Sequence, residues 1–316
     1  MEILYFFENL RTPLLDKFFL AITQLGDETF FIAAALIVFW CVSKKSGYYM
    51  MTVCFCGTII NQFLKLICRI PRPWVIDPDF TIVEAAKNRA TGYSFPSGHA
   101  QNAVSIFGCI AASVIGKKGI GKYQKNAICI FCAAAATLTA ISRMYLGVHT
   151  LYDISVSAVI AILLVLAFKK LFDFADKNEI VFKIIIAQML VMSVGYLIYA
   201  SFVPISGISQ SDISNFLNGK THAWYLLGGV AGIAVSYPLE KRFVNFKTKA
   251  PLFIQIIKTV PGFLLTILIK TALKVPLLSL FDGNNAAHAL RYFILVIFAV
   301  LLWPMTFELF LRLKRK

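Results

Sequence analysis

Residues 93–116 read YSFPSGHAQNAVSIFGCIAASVIG. Beyond its first turns this segment is apolar enough to lie in lipid, yet Ser97, Gly98 and His99 stand at its threshold. Working outward, apolar stretches close to the roughly 20 residues that one bilayer crossing needs recur along the chain. Spans are predicted at 28–43, 47–66, 98–116, 126–142, 150–168, 181–203, 223–239, 252–280 and 289–311. A mean hydropathy of +0.74, with 59% hydrophobic and 15% charged residues in 316, lies outside the range of soluble globular domains. The fold class read from these features is all-α, a polytopic membrane helical bundle of about nine spans. Phe18–Leu25 is cut off by Gly26, Asp27 and Glu28, so residues 1–25 read as an interfacial or re-entrant helix. No basic segment, short apolar core and cleavage site opens the chain, so a removable signal peptide is not expected.

The net charge of +15 belongs to membrane orientation rather than to nucleic-acid binding. Basic clusters fall at Lys44 and Lys45, at Lys117, Lys118, Lys122 and Lys125, at Lys169 and Lys170, at Lys241, Arg242, Lys247 and Lys249, and at Arg312, Lys314, Arg315 and Lys316. All lie at alternate span ends, which the positive-inside rule makes cytoplasmic. The loops 67–97, 143–149, 204–222 and 281–288 then face outward. The stretch 252–280 is expected to break at Pro261 and Gly262, and Lys258 within it to snorkel inward. If that stretch is interfacial, the C-terminus changes sides.

The seven cysteines give neither a disulfide framework nor a zinc site. Cys54 and Cys56 point to different helix faces, and Cys129 and Cys132 have no histidine or carboxylate beside them. No internal repeat is found. The unusual polar chemistry lies within 44–170, and the polar link KKLFDFADKNEI, 169–180, marks a boundary between residues 1–170 and further spans over 181–316.

Three polar elements converge on the outward side. In LKLICRIPRPW, Lys65 ends a span, and Pro71 and Pro73 hold Arg72 extended, with Arg69 in the same run. In FPSGH, Ser97 caps a helix and Gly98 leaves its first turn open, which makes an anion site of unpaired N–H groups and helix dipole, with His99 one residue in. In SRMYLGVHTLYD, Arg143 ends one span, and His149 and Asp153 lie four apart at the start of the next, on one face. A carboxylate so placed holds the N–H of one imidazole nitrogen and leaves the other a lone pair. Ionisable groups at membrane depth are costly, so this set reads as functional.

Read together, Lys65-x6-Arg72-Pro73, Pro96-Ser97-Gly98-His99 and Ser142-Arg143-x5-His149-x3-Asp153 resemble the three-part signature of the type 2 phosphatidic acid phosphatase superfamily. Every signature position is filled in order, and the resemblance covers about residues 20–170. It implies a phosphatase-type helical core and a two-step phosphotransfer with no metal and no cofactor. His149 would attack phosphorus, Asp153 would orient it, and His99 would protonate the leaving oxygen and later help activate water. Lys65, Arg72, Arg143 and the backbone at Ser97 and Gly98 would hold the phosphoryl oxygens. Arg69 sits in a spacer where the signature demands no particular residue and is left as a helper.

No role transfers to 181–316. Lys270 and Lys274, four apart on the eighth predicted span, are candidates with Arg291 to receive a charged headgroup. The expected substrate is a lipid phosphate or diphosphate, with polyprenyl diphosphate best suited to an outward site in a bacterial plasma membrane. The alternatives are a lipid phosphotransferase and a lipid transporter or flippase. The lipid tail, the number of phosphates and the oligomeric state are left open.

Overall fold

The structure, a computed structural model, describes residues 1–87, 90–176, 178–203 and 210–312. Within them every regular element is helical: α1 Glu2–Asn9, α2 Pro13–Ile22, α3 Glu28–Ile37, α4 Lys44–Cys68, α5 Pro73–Ile76, α6 Glu84–Lys87, α7 Gly98–Ile115, α8 Lys122–Tyr145, α9 Leu151–Ala175, α10 Glu179–Phe202, α11 Gln210–Leu239, α12 Leu252–Ala272, α13 Lys274–Leu280, α14 Ala286–Ile297, α15 Trp303–Met305 and α16 Phe307–Arg312. The cluster members Lys314, Arg315 and Lys316 lie outside the described residues.

Seven helical stretches are long and apolar enough to cross a membrane, or eight if the bent pair Pro13–Gly26 and Glu28–Val42 forms one crossing. The count of about nine spans is thereby lowered at two places. The stretch expected as 28–43 is only half of that pair, which bends by 53° where Asp27 turns its carboxylate onto the Thr29 N–H at 2.8 Å. The stretch expected as 223–239 is the end of the 30-residue α11, which is not among the seven and whose first half carries Asp212, Asn215, Asn218, Lys220 and His222.

The described chain forms two compact units. The first comprises 1–32, 52–173 and 204–219, and the second 33–51, 174–203 and 220–316. In the first, α7 and α8 pack along each other, and the turn Thr23–Gly26 packs on both. Local sequence sets the ends of these elements. Thr12 caps α2 ahead of Pro13, whose missing N–H costs nothing at the first helical position. Ser97 caps α7. Gly147, at φ +79°, closes α8 by letting the Val148 N–H reach back to the Arg143 carbonyl at 3.1 Å. A core under that turn joins Tyr145, Leu146 and Val148 to Phe7, Phe19 and Trp74, with Phe19 stacked on Tyr145 at 4.2 Å between ring centroids.

In the second unit, the buried Glu240 pairs with Lys44 at 2.7 Å, and the Trp40 indole donates to the Ala299 carbonyl at 2.9 Å. The expected break at Pro261 and Gly262 does not occur: α12 runs through both, and Leu252–Leu280 counts as one candidate span. Trp303 compensates. Its indole fills the space that Gly262 leaves bare and donates to the Lys258 carbonyl at 2.8 Å, beside the bond that the proline cannot make. A turn residue falls instead at Leu273, with Lys270 in the last turn of α12 and Lys274 at the start of α13. Lys258 is fully buried and reaches the Lys247 carbonyl at 3.1 Å, the direction expected of a snorkelling lysine.

Candidate active site

One end of the first unit gathers the three motifs. The site is built from the last turn of α4, the segment through α5, the start of α7, the end of α8 and the start of α9. All of the predicted residues of these motifs, Lys65, Arg72, Ser97, Gly98, His99, Arg143, His149 and Asp153, lie here, and most are buried.

His149 occupies the turn between α8 and α9. Its Nε2 lies 2.9 Å from Nη1 of Arg72, and its Nδ1 lies 3.5 Å from Oδ2 of Asp153. A guanidinium only donates, so Nε2 accepts and the ring proton sits on Nδ1, toward the carboxylate. Burial holds the His149 pKa well below the ordinary imidazole value of about 6.5, and the charges of Arg72, Arg143 and Lys65 act in the same direction. The ring is therefore neutral, with its lone pair turned to the side where the cations converge.

Among the described residues the His149 Nδ1 makes no hydrogen bond, whereas the Asp153 carboxylate that it faces is held by two donors. Its Oδ2 accepts from the Ser94 hydroxyl at 2.7 Å and from the Thr150 N–H at 2.8 Å. Its backbone carbonyl accepts from the Ser97 N–H at 3.1 Å and the Ser157 hydroxyl at 2.6 Å, which ties the second motif to the third.

The cations are anchored by backbone. Arg72 donates to the carbonyls of Gly92 at 3.1 Å, Thr91 at 2.8 Å and Val148 at 2.9 Å. Lys65 donates to the carbonyls of Tyr93 and Ser94. Arg143 gives Nη1 to the Thr23 hydroxyl at 2.6 Å, while its buried Nε has no partner. Such a donor costs about 1–3 kcal/mol if nothing satisfies it, and a phosphoryl oxygen would.

The start of α7 supplies further donors. Ser97 Oγ accepts from the Ala100 N–H at 3.4 Å, and among the described residues the N–H groups of Gly98 and His99 have no acceptor. A chain of amides backs this turn: Asn61 donates to the Pro96 carbonyl at 3.3 Å and to Gln101 at 2.9 Å, and Gln101 donates to the Gly57 carbonyl at 2.6 Å. The charges of Arg143, Arg72 and Lys65 bear on His99, and His149 is a further neighbour, which places the His99 ring in the same cluster.

Arg69 is turned elsewhere. It takes a left-handed backbone, φ +49°, and its Nε donates to the Leu66 carbonyl at 3.1 Å, closing the end of α4 beside Tyr93. Lys270, Lys274 and Arg291 belong to the second unit. Thr23, Ser94, Asn61 and Gln101 are absent from the sequence reading. Each is an uncharged polar residue remote in sequence from the group it supports, so only the repeated placement of polar side chains in apolar helices hinted at them.

Comparison with known proteins finds relatives of both parts of the chain. The PAP2 superfamily model matches residues 45–177, and the model of the PAP2 superfamily phosphatase transmembrane extension matches 224–316. Phosphatidylglycerophosphatase B of Bacillus subtilis is 29% identical over 151 residues, covering 46% of this chain and 69% of that protein. Sphingosine-1-phosphate phosphatase 1 of Rattus norvegicus is 24% identical over 212 residues, covering 67% of this chain and 45% of that protein. The chain thus spans about two thirds of the bacterial relative and under half of the rat one. The crystal structure of a transmembrane PAP2 type phosphatidylglycerolphosphate phosphatase from Bacillus subtilis is 28% identical and covers 56% of this chain and 84% of its own, with a TM-score of 0.46. With the core model on the unit that holds the three motifs and the extension model on the helices after it, the chain belongs to the PAP2 superfamily of transmembrane lipid phosphate phosphatases.

Proposed function

We propose that this protein removes the terminal phosphate of a lipid phosphate or diphosphate through a phosphohistidine on His149, without a metal ion, at the outer membrane face. The observation that carries the reading is the neutral His149 ring, with Arg72 on its Nε2 at 2.9 Å and the Asp153 carboxylate facing its Nδ1 at 3.5 Å.

In the first step His149 Nε2 attacks phosphorus, the P–O bond to the lipid breaks, and His99 gives its proton to the leaving oxygen. Charge gathering on the equatorial oxygens meets Lys65, Arg72, Arg143 and the N–H groups of Gly98 and His99. The Arg72 donor that rests on Nε2 would then pass to a phosphoryl oxygen, which occupies the same place when phosphorus approaches. Asp153 steadies the imidazolium that the new P–N bond creates. In the second step His99 takes a proton from water, the water oxygen attacks phosphorus, the P–N bond breaks, and inorganic phosphate leaves. Three buried cations supply the positive charge that a metal ion would otherwise bring.

The relatives' names put phosphatidylglycerol phosphate first among substrates and sphingosine-1-phosphate after it, and polyprenyl diphosphate is added because it suits an outward site. The alternation of basic clusters supports an outward site in a plasma membrane. Phosphate release from the purified chain in EDTA, over those three lipids and beside His149→Ala, tests the proposal. Turnover in chelator that disappears in the variant supports it. Turnover by His149→Ala, or its loss in chelator, overturns it, and silence across the panel would put transfer to an alcohol ahead of hydrolysis.

A further inference from the structure

A second group of basic side chains, in the unit that holds the transmembrane extension, has no part in the chemistry above. Arg291 lies in α14, inside the candidate span Ala286–Leu311, and is only 5% exposed. Its guanidinium lies 5.3 Å from the Tyr225 ring centroid and 5.2 Å from that of Tyr292, and those two rings stack on each other. Among the described residues it makes no hydrogen bond and no ion pair, and its Nε is fully buried without a partner. Rings attract a cation but accept little from its five N–H donors.

An arginine side chain on a helix points toward the N-terminus, so Arg291 reaches back along α14 toward His288, one turn earlier on the same face. His288 is buried, and its ring meets the edge of Tyr225 at 4.9 Å. Lys274, the first residue of α13, bears on His288 together with Arg291. The first N–H groups of α14 are already met, that of Ala286 by Asn284 Oδ1 at 2.9 Å and those of Ala287 and His288 by the Asn284 and Asn285 carbonyls, so the helix start adds only the positive end of its dipole. Among the described residues no carboxylate pairs with Arg291, His288 or Lys274.

We propose that Arg291, His288 and Lys274 form a binding site for a phosphate oxyanion, presented by the headgroup of an anionic lipid lying against α14. A buried guanidinium without an acceptor is costly in a span, and a phosphate takes it in bidentate fashion beside the stacked Tyr225 and Tyr292 rings. The lipid source fits the depth: Arg291 lies about 8 Å along the helix from its start, within reach of a headgroup whose tail stays in the bilayer.

The test uses the full-length protein in detergent and counts bound lipid by native mass spectrometry. Phosphatidylglycerol serves as the probe because it is a diester with no terminal phosphate for the His149 site to remove, so this result is independent of the catalytic proposal. Arg291→Gln and, on the exposed side chain where folding is not at risk, Lys274→Gln are each expected to weaken its retention, the former about tenfold or more. Inorganic phosphate in a parallel arm separates the sources: displacement of the lipid by phosphate assigns the site to the free ion, and persistence of the lipid assigns it to a headgroup. Equal retention by wild type and both variants, or equal retention of diacylglycerol, overturns the proposal.

Discussion

At the scale of single residues, the protein spends stability to keep one imidazole neutral. The folded-state pKa of His149 is depressed, so unfolded chains bind its proton first. Its contribution to stability is intact above about pH 6.5 and is lost as the pH falls below that value toward the lower folded-state pKa. With four histidines in the chain, nitrogen-15 NMR of histidine-labelled protein should find one ring, missing in His149→Ala, still mostly neutral at pH 6.5. Half-protonation at or above that pH would contradict the geometry described. Asp153→Asn keeps an oxygen for Ser94 and Thr150 but removes the charge that favours the Nδ1 proton, so kcat should fall by about a hundredfold or more with little change in Tm. Thr23→Val removes the acceptor of Arg143, and a fall in kcat/KM of about tenfold is expected, restored in large part by Thr23→Ser. The charged and histidine positions were legible in the sequence because cations and imidazoles stand out in apolar helices. Thr23 was not, since a threonine near a predicted interfacial helix has no feature that ties it to an arginine 120 residues away.

At the scale of elements, two turns set the site and both depend on glycine. Gly147 turns the chain from Arg143 to His149 with a positive φ, and a Cβ there would lie 2.8 Å from Arg11 and 3.0 Å from both Ile82 and Phe80. Gly147→Ala should cost about 1–3 kcal/mol and lower Tm, whereas Gly116→Ala, at a negative φ with open space around it, should leave Tm near the wild-type value. A thermal scan of the two variants checks this, and equal behaviour would mean that the turn tolerates rearrangement. Gly26 plays the other part: a Cβ there would stand 2.5 Å from the His99 carbonyl oxygen, so the turn that carries Thr23 approaches α7 only because it is bare. Helix positions were readable from apolar length, but the continuation of α12 through Pro261 was not. The Trp303 indole packs against that point, and its contact with Gly262 joins residues about forty positions apart.

At the scale of the whole molecule, one family model covers 45–177 and the model of the transmembrane extension 224–316, and the three motifs fall wholly within the first. The proposed orientation rests on charge alone and is open to direct labelling. Cys68, exposed at the end of α4 beside the site, should react with a membrane-impermeant maleimide in intact cells, and the signal should vanish in Cys68→Ser. Labelling only after permeabilisation would turn the site to the cytoplasm. The all-helical membrane class was evident from hydropathy, while the span count was overstated at α11, which mixes an apolar half with a polar one. The central claim is the covalent intermediate on His149. Rapid quenching of the protein with lipid carrying a labelled terminal phosphate, in EDTA, should trap an acid-labile, base-stable label on a peptide containing His149, absent from His149→Ala. Steady turnover in EDTA with no trapped label on His149, or label retained in the variant, would contradict it.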